Sequence, residues 1–144
     1  MEGAPERLTL SVPSNPRYLL IIRTLFSSLL TDLGFSNQET MAVVLAVNEA
    51  YANVIEHCYK GDVTQRIDLA VLIEPQTITI EIRDYGEQPD VARIAPRALH
   101  EVRPGGLGTH FMRSVMDEVT YDLSPDTGTL LRMTKNRSLS CKST

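Results

Sequence analysis

Several absences in this 144-residue sequence limit what it can do. It has no tryptophan and only two cysteines, Cys58 and Cys141, which lie far apart and match no metal-ligand spacing. Both thiols are therefore expected to be reduced and non-catalytic. Basic residues are not in excess: 14 Lys and Arg stand against 18 Asp and Glu, interspersed, for a net charge of −4. The basic face or run of a nucleic-acid binder is missing. No apolar run approaches a membrane span, and no charged segment followed by an apolar stretch opens the chain as a secretion signal would. The expectation is a cytoplasmic protein with neither a membrane nor a nucleic acid as direct partner. No internal repeat or low-complexity tract is present.

What remains is the composition of a soluble globular protein, long enough for one domain and too short for two ordinary ones. Residues 1–144 are thus read as a single domain. RLTLSV (Arg7 to Val12) alternates like a strand. Ser14 or Asn15 can cap a helix that Pro16 helps to start, running from Arg17 to Leu33 and ending at Gly34. Its residues Leu19, Ile22, Phe26, Leu29 and Leu33 recur at helical spacing. Ser36 and Glu39 have capping-box spacing and open a second helix to about Cys58, stopping near Gly61. Its core-facing positions are assigned to Met41, Val44, Leu45, Val47 or Ala52, and Ile55.

RIDLAVLI and TITIEI alternate with period 2 around the turn Glu74-Pro75-Gln76, an antiparallel hairpin with one buried face. Residues 84–106 break every periodicity and hold three of the eight prolines, as a lid or binding loop would. GTHFMRSVMDE reads as a short helix. VTYDLS and TLLRMTK form a last strand pair around Pro125-Asp126-Thr127-Gly128, and a polar tail begins at about Asn136. Strand runs separated from helix runs predict an α+β two-layer sandwich, a mixed or antiparallel sheet with helices on one face.

The second helix carries polar groups that a core would not choose. Glu49 and Asn53 are four residues apart and project from one face, one turn apart. A neutral carboxamide oxygen suits Mg²⁺, which takes few protein ligands. A carboxylate one turn earlier could deprotonate a hydroxyl for attack on phosphate. On this helix alone, two side chains in solvent are the simpler reading. Asn48 and Glu56 are read as rim positions, His57 as a helix-end residue favoured by the macrodipole, and Tyr51 and Tyr59 as packing residues with wet tips. Asp84 closes a buried strand two residues before Gly86; it could accept from an exocyclic amine, with glycine admitting a flat base, or the pair could be an ordinary turn. Gly105, Gly106 and Gly108 lead into a helix, exposing backbone N–H groups at a helix N-terminus as an anion site does; a flexible hinge is the alternative. The loop is neither a Walker loop nor a dinucleotide fingerprint.

In their order and spacing, E-A-Y-A-N at 49–53 continuing into E-H, D-Y-G at 84–86 and G-G-L-G…M-D-E-V at 105–119 resemble the GHKL (Bergerat-fold) ATPases. More narrowly, they resemble the anti-sigma-factor serine/threonine kinases. The resemblance implies ATP and Mg²⁺ as cofactors, Glu49 as general base and Asn53 as Mg²⁺ ligand. It also implies that Asp84 binds the adenine amine above Gly86, and that Gly105, Gly106, Leu107, Gly108 and Thr109 hold the phosphates. Arg103 is a candidate γ-phosphate contact, and the ATP lid would span about residues 87–104. The implied function is phosphorylation of a STAS-type antagonist and sequestration of a sigma factor or similar regulator, commonly as a dimer. The second motif departs from the family's frequent Asp-x-Gly-x-Gly, since Glu87-Gln88 follow Gly86. A partner-switching binding module of the same fold, weak or inactive as a catalyst, is the alternative. The ATP-binding half of a histidine kinase is a third, against which no dimerising helix with a phosphoacceptor His precedes the domain.

Overall fold

The computed structural model describes residues 4–88 and 106–137, with residues 106–109 as backbone. Five strands, β1 (Glu6–Pro13), β2 (Arg66–Ile73), β3 (Thr77–Asp84), β4 (Glu118–Asp122) and β5 (Thr129–Asn136), form one sheet in the order β1-β2-β3-β5-β4. Every neighbouring pair is antiparallel. Helices α1 (Leu19–Asp32), α2 (Asn37–Asn53) and α3 (Gly106–Val115) make the second layer, with α2 in contact with both of the others. The α+β expectation holds, in its antiparallel form.

The sheet follows from strict alternation. Ile78, Ile80 and Ile82 are at most 1% exposed, and burial of each stabilises the fold by roughly 1.5–3 kcal/mol. Ile80 sits between Val71 on β2 and Met133 on β5. The opposite face is polar, where Glu81 pairs with Arg7 at 3.4 Å and with Arg132 at 3.0 Å.

A 3₁₀ turn at Pro16–Tyr18 precedes α1, and the Asn15 side chain accepts the Arg17 N–H at 3.0 Å. α1 then buries Ile22, Phe26 and Leu30. It ends in a Schellman motif: Gly34 takes a φ of 95°, its N–H bonds the Thr31 carbonyl, and the Phe35 N–H reaches the Leu30 carbonyl. The capping box of α2 is formed, with the Glu39 N–H on Ser36 Oγ at 3.1 Å and the Ser36 N–H on Glu39 Oε1 at 3.2 Å.

The core face of α2 differs from its sequence assignment. Val47 and Ile55 are buried as assigned, but Met41 and Leu45 are 65% and 48% exposed, and Thr40, Val43, Ala46, Ala50 and Tyr51 are buried instead. α2 also does not run on as an α-helix to Cys58. Val54–Cys58 is a π-turn, in which the Tyr59 N–H bonds the Val54 carbonyl at 2.9 Å. The wider turn keeps Val54, Ile55, Cys58 and Tyr59 all buried, and Gly61 stops it with a φ of 85°.

α3 ends at Val115, three residues before the end its sequence suggested, because Glu118 already belongs to β4. Between them Asp117 bonds both ends of a strand step: its N–H reaches the Thr134 carbonyl and its carboxylate accepts the Asn136 N–H. Lys135 donates to the Val115 carbonyl at 2.9 Å, placing a cation at the negative end of α3. Among the described residues, no helix is long and apolar enough to cross a membrane.

Candidate functional site

The register of β3 on β5 creates the site. Ile80 pairs with Met133, Ile82 with Leu131, and the next inward-facing pair is Asp84 with Thr129. An apolar row thus ends in a carboxylate beside a hydroxyl. Ala50, Asn53 and Val54 from the end of α2, together with Tyr121 of β4, enclose a cavity of about 10 Å³ around this pair. That is room for about one water or one small polar group. Asn53, Asp84 and Thr129 are only 6%, 2% and 2% exposed. Thr129 Oγ1 is buried with no hydrogen-bond partner among the described residues. A buried hydroxyl without a partner costs about 1–3 kcal/mol, so a cavity of this composition favours a ligand that brings donors to it.

The segment after Asp84 is tied on every side. The Gly86 N–H donates to Asp84 Oδ1 at 3.0 Å. A Cβ at Gly86 would lie 2.4 Å from the Cys58 carbonyl oxygen, so this glycine makes room for the end of the π-turn. The Tyr85 N–H donates to the Tyr59 hydroxyl at 2.7 Å, which in turn donates to the Arg66 carbonyl at 2.6 Å. Burial pushes the Tyr59 hydroxyl pKa upward. The Arg66 and Arg83 guanidinium groups lie 4.8 and 4.3 Å from the Tyr85 ring centroid. The Tyr85 hydroxyl donates to Asp68 at 2.5 Å, and Ser11 donates to the same carboxylate at 2.7 Å. Partial burial opposes ionisation of Asp68, but these bonds and the Arg66 charge outweigh it and hold its pKa below the usual range.

Asn53 and Asp84, singled out in the sequence, meet at this one cavity. Glu49 is half-buried one turn earlier on α2. The Asn53 carboxamide oxygen is a hard neutral donor that fits Mg²⁺, whose remaining positions go to water and phosphate. Gly106, Leu107, Gly108 and Thr109 lie inside the first turn of α3 rather than in a loop before it. Their amides include those that a helix leaves without internal partners. Arg103, Gly105 and the part of the expected lid (about 87–104) beyond Gln88 lie outside the described residues.

Other expectations change. The tips of Tyr51 and Tyr59 are not wet, for each hydroxyl bonds backbone; Tyr51 donates to the Pro13 carbonyl at 2.5 Å. Asn48 is no simple rim residue, since its Oδ1 is buried and finds no partner among the described residues. His57 does sit at a helix end, 3.8 Å from Glu56. Sequence reading passed over Thr129, although a signal was there: it is the inward position at which the Leu131, Met133 row turns polar. Gln88 was marked only as the residue in place of the motif's second glycine, with nothing to show what it bonds.

The chain belongs to the histidine kinase-like ATPase domain family, whose profile matches residues 12–135. Within it, the sequence is similar to the serine-protein kinases named RsbW. The Bacillus licheniformis protein is 28% identical over 143 residues, covering 94% of this chain and 88% of its own. The one from Listeria monocytogenes serotype 4b (strain F2365) is 30% identical over 138 residues, covering 90% and 87%. The fold is similar to that of the RsbU and RsbW domains of a Mycobacterium tuberculosis protein, with a TM-score of 0.66 at 17% identity over 92% of this chain and 33% of that one. It is also similar to the histidine kinase domain of a blue-light activated kinase of Erythrobacter litoralis, with a TM-score of 0.58 at 16% identity over 90% and 63%.

Proposed function

We propose that the chain is an anti-sigma-factor-type serine/threonine-protein kinase that binds Mg-ATP, phosphorylates a STAS-type antagonist and sequesters a sigma factor or similar regulator. The observation that carries this reading is the burial of Asn53 and Asp84 around one cavity with the unpartnered Thr129 hydroxyl. Asp84 is an acceptor placed for the exocyclic amine of adenine, and Thr129 supplies a second polar contact. Mg²⁺, held by the Asn53 carboxamide oxygen, would neutralise charge on the phosphates. The first-turn amides of α3, from Gly106 to Thr109, with Gly105 and Arg103 before them, would bind phosphate oxygens. Glu49 would take the proton of the acceptor serine or threonine as its oxygen attacks the γ-phosphorus. The protein would act in the cytoplasm, as a homodimer.

Incubation with labelled Mg-ATP and a STAS-domain antagonist tests this. Labelling of the antagonist is expected to fall by about a hundredfold or more in Glu49→Gln, while ATP affinity stays within about twofold, since that change removes no group assigned to binding. Unchanged labelling in the variant would remove Glu49 from the role of base. A second reading is a switch that binds its regulator without transferring phosphate. It is favoured by Gln88, which stands where the family often has a flexible glycine and is bonded to a neighbouring turn. That reading expects a stable regulator complex with no labelled product, and survival of the complex in Glu49→Gln.

A further inference from the structure

Gln88 Nε2 lies 3.0, 2.6 and 2.8 Å from the carbonyl oxygens of Leu123, Pro125 and Gly128. Carbonyls only accept, so the amide must face them with its NH₂ group. Two hydrogens serve three acceptors, and at least one bond is shared. These carbonyls belong to the turn between β4 and β5. The end of that turn has nowhere else to go: a Cβ at Gly128 would lie 1.9 Å from the Asp84 carbonyl oxygen. Arg83 adds a second tie, donating to the Thr127 carbonyl at 2.9 Å. The next residue is Thr129, whose unpartnered hydroxyl faces the cavity opposite Asp84.

A closed circuit results. From Asp84 the chain passes Gly86 to Gln88, crosses by hydrogen bonds to Gly128, and returns through Thr129 to Asp84 across the sheet. We infer that Gln88 is a positioning residue for base selection, fixing the Thr129 hydroxyl relative to the Asp84 carboxylate; this rests on the nucleotide-binding reading above. A carboxylate only accepts, so it suits the amine edge of adenine and opposes the keto oxygen of guanine. Discrimination between the two depends on how little the opposite wall can yield, because a cavity free to widen lets the wrong edge avoid the carboxylate. Gln88 therefore governs selectivity more than raw affinity.

Two substitutions separate this from a general structural role. Gln88→Glu keeps the shape but turns oxygen toward three carbonyls. Gln88→Lys offers an ammonium with three N–H donors. ATP and GTP affinities of the full chain are measured by calorimetry, with amide exchange across residues 123–130. Gln88→Glu is expected to lower the ATP-to-GTP affinity ratio by about tenfold or more and to speed exchange in the turn. Gln88→Lys is expected to keep the ratio within about threefold of the parent, the spread ordinary for such energies. Should Gln88→Glu fail to fold, Gln88→Met, which removes the donor without adding charge, takes its place with the same expectation. An unchanged ratio in Gln88→Glu, or a Gln88→Lys that behaves like it, overturns the role of Gln88 and leaves nucleotide binding standing. If the parent binds neither nucleotide, the nucleotide reading itself falls, and this inference with it.

Discussion

Tyr51 is 0% exposed and donates its hydroxyl to the Pro13 carbonyl. Burial, with a smaller contribution from Tyr18, pushes its pKa from 10.0 up to about 12. The folded protein thus holds this proton more tightly than the unfolded chain. The stabilisation is complete below pH 10 and is lost as pH rises toward 12. Tyr51→Phe is expected to cost about 1–2 kcal/mol at neutral pH, since it leaves the Pro13 carbonyl without this donor. It should also flatten the alkaline loss of stability, as read by denaturant titration across pH; parallel curves would contradict the assignment. The sequence marks Tyr51 as packing but not its partner, which lies far along the chain. Asp84 was legible because it closes an apolar strand, and Asn53 because it stands one turn after Glu49 in a motif, not because its burial could be read. Thr129 interrupts an apolar row too, but threonine is common in strands and the break draws no attention.

The helices show which signals are local. The Ser36–Glu39 box is written in four consecutive residues, and it forms as read. Ser36→Ala is expected to lower stability by about 1 kcal/mol and to depress the melting temperature, with little change when Glu39 is also removed, because the two bonds are reciprocal. Additive losses would mean the pair does not act as a box. The buried face of α2 was less legible. Met41, Val43, Val44, Leu45, Ala46 and Val47 surround the helix with apolar groups, so periodicity does not select one phase. The fold selects it, because α2 touches both α1 and α3 and shares its buried face with the strands' core residues. Small residues face inward at Ala46 and Ala50, while Met41 and Leu45 are left outside.

At the scale of the whole molecule, the two hairpins are local and were readable, but the pairing that builds the site is not. β3 joins β5 across the intervening segment and helix, and only that pairing sets Asp84 beside Thr129. Non-local pairing leaves no mark in a short window of sequence. The strand order also ranks the sheet by protection, with β1 and β4 at its edges and β2, β3 and β5 inside. Native-state hydrogen exchange is expected to be slowest in β3 and β5 and faster along the outward-facing amides of β1. Uniform protection across all five strands would argue that another chain covers the β1 edge.

The π-turn at Val54–Cys58 has a consequence for how the sequence can change length. It holds one residue more than an α-helix needs to cover the same turn. Losing any one residue there would restore a regular helix without shortening the core it spans. Cys58 and Tyr59 would then keep their phase toward Gly86 and the Tyr85 amide, whereas a second deletion would turn the chain by about 100° and swing them away. The stretch after Asn53 can thus give up one codon, the exposed Glu56 being the residue whose loss removes no buried side chain, but not two.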